Sequence, residues 1–126
     1  MAQPRMRVAA TVLGTSDPRT LGDFYERLLG WTRRADEPVW VTLVPPEGRP
    51  GLSIQYEPEY VPPVWPSTAD HQQMTAHLDI AVEDLDAAVA WALDAGASLA
   101  EFQPQEAVRV MLDPAGHPFC LFEGRV

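Results

Sequence analysis

The chain carries an internal repeat. Asp17 opens the segment DPRTLGDFYERLLG and Asp84 opens DLDAAVAWALDAG, an offset of 84 − 17 = 67 residues. The same offset pairs Leu21 with Ala88, Phe24 with Trp91 and Tyr25 with Ala92, while Gly30 and Gly96 match to within one residue. Each half reads as strand–helix–strand–strand–strand. The expected fold is therefore α+β: two βαβββ modules whose curved mixed sheets enclose a small-molecule cavity. A chain of 126 residues is the size of one ordinary domain. Module one is expected over about residues 6–57, a connection over about 57–72 and module two over about 73–124.

The elements follow from local chemistry. Arg7 to Gly14 is rich in Val, Ala and Leu and reads as a strand. Asp17 can accept from the free N–H groups of a helix start, and Pro18 suits the first helical position. Leu21, Phe24, Tyr25, Leu28 and Leu29 then form one apolar helical face, closed by Gly30. Strands are expected over Trp31–Arg34, Pro38–Val44 and Gly51–Tyr56, with Pro45-Pro46-Glu47-Gly48 as a turn. The Pro-rich stretch from Glu57 to Gln72 is long for a loop in so small a domain, a mark of function or of a linker. In the second half the strand Met74–Val82 precedes an N-cap at Asp84. A helical stripe of Leu85, Ala88, Val89, Ala92 and Leu93 follows, ending at Gly96. Strands over Ser98–Phe102, Ala107–Leu112 and Pro118–Glu123 complete the copy, the last two joined by the turn Asp113-Pro114-Ala115-Gly116.

Side chains alternate across a strand, which separates a core face from a free one. Leu78, Ile80 and Val82 share one face, His77, Asp79 and Ala81 the other. Phe119 and Leu121 oppose Cys120 and Phe122; Leu52 and Ile54 oppose Ser53 and Gln55. The free faces make Gln55, His77, Asp79 and Cys120 the candidate ligand-binding residues of a small-molecule pocket. Trp40, Tyr56 and Trp65 are the aromatic candidates. Trp65, inside VPPVWPS, is either a lid or a staple for the loop. His77 titrates near neutrality and suits acid–base work or ligand contact. Cys120 is a nucleophile if a base lowers its pKa, and otherwise a small hydrophobe. Arg109 is either an anion contact or a solvated edge charge. His117 reads as exposed, and His71 falls in the long loop.

Charge narrows the partners. The net charge is −9 and every one of the nine cations is arginine. Without a basic stripe, binding to nucleic acid or to an anionic membrane is not expected. Without lysine there is no Schiff-base chemistry. No apolar run is long enough to span a bilayer, and Met1 to Val8 lacks the apolar centre of a signal peptide. The single cysteine allows neither a disulfide framework nor a Cys-based zinc cluster. A cytoplasmic protein is the expectation.

The segments DPRTLGDFYERLLGW (Asp17 to Trp31), Gln72-Gln73, HLDIAVEDLDAAVAWALDAGA (His77 to Ala97) and DPAGHPFCL (Asp113 to Leu121) resemble the vicinal oxygen chelate superfamily. Its members include glyoxalase I, extradiol dioxygenases and bleomycin-resistance proteins, and the likeness extends to small bacterial glyoxalase-like domain proteins. The resemblance implies a homodimer, with the modules pairing within the chain or exchanging between chains. It also implies, for the metal enzymes, one divalent ion held by His and Glu from strands one, four, five and eight. Position by position, only His77 on the fifth strand is kept. The first-strand position is Ala10, the eighth is Cys120, and the fourth is Gln55 within a two-residue uncertainty; Asp79 and Glu57 are substitute donors. Glu123, of opposite parity to Cys120, should not face in. His77 is thus a remnant of a metal site and no cofactor is expected, with Zn, Ni, Fe or Mn as the alternative. The reading is a small-molecule-binding protein of this superfamily with a degenerate metal site. The alternative is a metal-dependent lyase or dioxygenase with a rearranged ligand set.

Overall fold

Asp17 starts the first helix as its position suggests. In the computed structural model, which describes residues 1–126, its carboxylate accepts from the Thr20 N–H at 3.3 Å and from the Thr20 hydroxyl at 2.6 Å. Pro18 occupies the first turn of α1 (Pro18–Leu29) and Gly30 caps its end in the left-handed region. Leu21, Phe24 and Tyr25 are buried as the periodicity requires. Gly22 lets the helix settle closely on its sheet, because a Cβ there would lie 2.8 Å from Val41 Cγ1.

The chain divides into two compact units, Met1–Pro58 and Glu59–Val126. The first holds β1 (Ala10–Thr15), α1, β2 (Thr32–Glu37), β3 (Trp40–Val44) and β4 (Gly51–Tyr56). Their sheet runs β1-β4-β3-β2, with β1 parallel to β4 and the other pairs antiparallel. The second holds β5 (Leu78–Val82), α2 (Leu85–Ala95), β6 (Ser98–Leu99), β7 (Val108–Leu112) and β8 (Pro118–Glu123), in the order β5-β8-β7-β6. Each sheet is four-stranded, mixed and open. The two βαβββ modules of the sequence are thus present, each with one helix on its sheet. No helix is long and apolar enough to cross a membrane.

The repeat extends into the hydrogen-bond registers. Val12 faces Ser53 across the β1–β4 pair and Asp79 faces Cys120 across β5–β8. Both residues of the second pair sit 67 positions after those of the first: 79 − 12 and 120 − 53.

Several boundaries differ from expectation. β1 begins at Ala10 rather than Arg7, because its partner β4 begins at Gly51, just after Pro50, which has no N–H to give. β2 runs Thr32–Glu37 rather than Trp31–Arg34. Its register shifts between Arg33 and Asp36, and the Thr42 hydroxyl accepts from the Ala35 N–H at that irregularity. β3 starts at Trp40 rather than Pro38. β5 starts at Leu78, not Met74, since β8 offers its first partner at Phe119. β6 is two residues long where five were expected. Past it, the Gln103 amide takes over the pairing: it donates to the carbonyls of Ala100 and Val110 at 2.9 and 2.8 Å and accepts from the Val110 N–H at 2.8 Å.

The helices are held differently. Under α1 lies Arg33, whose guanidinium meets Asp23 at 2.7 Å, Asp36 at 3.0 Å and Glu26 at 3.4 Å. α2 starts on two carboxylates: Asp84 accepts from the Ala87 N–H, and Glu123, directed to the helix side as its parity requires, accepts from the Leu85 N–H. Of the expected α2 stripe only Ala92 is fully buried, and Leu93 is exposed.

Candidate functional site

Strand parity and register together assemble a cluster on the free face of the second sheet. His77 and Asp79 are two residues apart, so both project from that face. Asp79 sits directly opposite Cys120. His77 Nε2 lies 3.1 Å from the Asp79 carboxylate, and donor atoms of His77, Asp79 and Cys120 all fall within 4.8 Å of one another. Val110, buried, stands opposite Cys120 on β7 and walls one side of the sulfur with apolar surface. His77 comes just before β5 rather than within it, which leaves its ring 35% exposed; the Asp79 carboxylate is 63% exposed.

The order of the three groups decides the chemistry. Burial pushes the Cys120 thiol up from its ordinary range, and the Asp79 carboxylate adds to the rise through its charge and by accepting the S–H. A nucleophilic cysteine needs the imidazole next to the sulfur, with the carboxylate behind it. Here the carboxylate meets both groups, His77 Nε2 at 3.1 Å and the Cys120 thiol, whose S–H it accepts. It raises the thiol's pKa, which works against the nucleophile expected of Cys120 in one reading.

The first sheet presents a different face. Trp40 stands opposite Gln55, so the two expected ligand contacts share that face. Gln55 donates to the Glu57 carboxylate. Glu57 lies across Gly14, where a Cβ would come 2.9 Å from Glu57 Cγ and push that side chain aside. The register corrects one assignment: the residue equivalent to Cys120 is Ser53, and Gln55 is equivalent to Phe122. Ser53 is buried, and Ala10 occupies the position equivalent to His77.

The other candidates are engaged within the second unit. The Trp65 indole N–H donates to the Phe102 carbonyl at 3.0 Å and its ring tilts against Phe102 at 6.1 Å. Arg109 turns back on the backbone, donating to the carbonyls of Glu106 and Val108 at 2.7 and 3.0 Å. His71 pairs with the Thr68 hydroxyl. His117, expected in solvent, is half-buried beside Tyr60, whose hydroxyl is 3.2 Å from its Nε2 and donates to the Ala115 carbonyl at 2.7 Å. Burial, followed by the charge of Asp113, pushes the Tyr60 phenol up to about 12, so it remains a donor. Sequence reasoning missed Tyr60 and Gln103. Tyr60 ties the long connection to the β7–β8 turn, and an aromatic among prolines was the only available signal.

The metal set implied by the superfamily resemblance does not fit these residues. Ala10 offers no donor atom, Ser53 offers a buried hydroxyl, and Cys120 replaces a carboxylate. Imidazole-and-carboxylate chemistry across four strands has lost its first-module half.

A family model described as "Glyoxalase-like domain" matches residues 10–122. No curated protein sequence matches the chain. Among solved structures, one described as a glyoxalase/bleomycin resistance protein/dioxygenase family enzyme from Burkholderia phytofirmans PsJN aligns with a TM-score of 0.67 at 15% identity. It covers 94% of this chain and 98% of its own. Glyoxalase I of Leishmania major, described as trypanothione-dependent, aligns at 0.66 with 20% identity over 94% and 87% of the two chains. TnmS3 from Streptomyces sp. CB03234, described as an antibiotic binding protein, aligns at 0.62 with 18% identity over 98% and 100%. At these identities the structures share a fold with this chain.

Proposed function

This chain belongs to the glyoxalase-like domain family, and from that premise we propose that it binds or sequesters a small organic ligand without using the metal chemistry of the family's enzymes. The observation that carries this reading is the pairing of Ala10 and Ser53 with His77 and Cys120 under one repeat offset. Of the four-strand His and Glu set only His77 is kept, while the free faces carry side chains suited to a binding surface. Trp40 supplies aromatic area beside the Gln55 amide, and His77 and Asp79 supply polar contacts beside Cys120 and Phe122. The antibiotic binding protein TnmS3 shows that a chain of this fold can serve as a binder. Trp65, held on Phe102, contributes to this reading only by ordering the connection. The same reading places the protein in the cytoplasm as a homodimer, for which light scattering is the direct check.

Calorimetric titration in the presence of a chelator tests the proposal, using a panel of planar aromatic and amphipathic compounds with antibiotics among them. The expected result is saturable binding of one panel class, weakened about tenfold or more by Trp40→Ala, a loss of roughly 1.4 kcal/mol. Turnover of a glutathione hemithioacetal or a catechol that a chelator abolishes would overturn it.

A further inference from the structure

We infer that the outer face of α2 is a docking surface for a basic amphipathic helix of a partner protein. The two helices hold the same place in their modules but meet solvent differently. The exposed residues of α1 are Arg19, Thr20, Asp23 and Arg27, an ordinary polar face. Those of α2 are Asp86, Ala87, Ala90, Trp91, Leu93 and Asp94, four of them apolar and none cationic. Leu99, on the β6 strand that packs beside α2, adds to this surface; it, Trp91 and Leu93 are each about half exposed. A helix that is apolar all round is normally covered, and large apolar side chains left together in water mark a contact surface. Tryptophan is a residue type that often anchors one.

Charge decides what covers the face. Met1–Pro58 holds seven arginines and seven side-chain carboxylates. Glu59–Val126 holds two arginines and eleven carboxylates, and 2 − 11 = −9 is the whole net charge of the chain. No lysine or arginine lies between Arg49 and Arg109. Asp86 and Asp94 stand on the exposed face of α2, and Glu83 and Glu101 flank it, all four exposed. A two-fold contact would bring two copies of this acidic rim together, which their like charges oppose. A partner with apolar anchors and a lysine- or arginine-rich flank meets both features at once. The competing account is a second copy of this chain on the same face. The face lies on the helix side of the second sheet, away from the free faces, so peptide binding and organic-ligand binding can each fail alone.

Fluorescence anisotropy of labelled synthetic peptides titrated with the full-length chain tests the inference. One probe is a helix with a leucine face and a lysine face; the other has glutamate in place of lysine. The expected result is one leucine–lysine peptide bound per chain, more weakly as salt is added, and no binding of the leucine–glutamate peptide. Trp91→Ala should weaken binding more than about tenfold with circular dichroism unchanged. Val39→Ala, a similarly exposed apolar position in the first module, should bind as the wild type does. The double variant Asp86→Asn/Asp94→Asn should bind more weakly and respond less to salt. Absence of binding to the wild-type chain would overturn the inference, and so would wild-type affinity in Trp91→Ala. A dimer in sedimentation that Trp91→Ala dissociates would also overturn it, because a second copy would then be the occupant.

Discussion

The two modules share one backbone plan and use it differently. In the first, Phe24 on α1 is 2% exposed; its repeat partner Trp91 on α2 is 54% exposed. Arg33 stands opposite Leu43 on β3 and gathers three carboxylates. The register equivalent in module two, opposite Met111, is Leu99, which is exposed. On the free faces the contrast reverses. Module one holds Ala10, Val12 and Ser53 where module two holds His77, Asp79 and Cys120. A duplicated frame thus lets one copy carry a denser helix–sheet core while the other carries reactive groups. Structure follows the pattern of apolar positions common to both copies, and chemistry follows the few positions where they differ.

The sharpest way to break this comparison is to truncate the repeat-matched aromatics. Phe24→Ala should cost about 3–5 kcal/mol in urea unfolding, the range for emptying a buried aromatic site. Trp91→Ala should cost less than about 1 kcal/mol, as an exposed position does. Equal losses would mean that the two cores are equivalent.

A smaller effect is expected at the second matched pair. Arg33→Ala leaves Asp23, Glu26 and Asp36 without their shared cation. It should destabilise by about 1–3 kcal/mol, the partners being exposed enough to discount the buried-pair figure. The loss should change with added salt, which screens the stranded carboxylates. Leu99→Ala should stay within about 0.5 kcal/mol and show no salt dependence.

Helix caps give the smallest predicted difference. Asp17→Ala should cost about 0.5–2 kcal/mol through loss of its bonds to Thr20. The Thr20 hydroxyl and then the Thr20 N–H hold the Asp17 carboxyl below its ordinary 3.8. A carboxyl lowered by folding contributes stability that is present above 3.8 and is lost as pH falls through the lower folded value. Stability measured by denaturant across acidic pH should therefore decline below about pH 4, and less steeply in Asp17→Asn.

The sequence made the frame legible because its signals were local. Asp17, Gly30, Asp84 and Gly96 mark helix ends by cap chemistry alone, and β4 and β8 run as expected because their apolar alternation is clean. Elements that depend on a partner were misplaced. Met74–His77 looks extended, but β8 offers nothing for it to pair with. Phe102 looks like strand, but Gln103 replaces the strand's bonds with its own amide. The charged run TRRADE gives no hint that Arg33 is the residue facing the helix. For the site, parity alone put His77, Asp79 and Cys120 on faces of the same kind. What it could not supply was the Asp79–Cys120 register, and with it the carboxylate that adds to burial in raising the thiol's pKa. The same register moved the fourth-strand equivalent from Gln55 to Ser53.

The claim that this chain binds an organic ligand without the metal chemistry of its family is tested most directly by calorimetric titration of the compound panel, first with chelator present and then with added zinc. The expected result is saturable binding of one panel class with the same affinity in both conditions. Binding that is absent with chelator and appears only with zinc would contradict it.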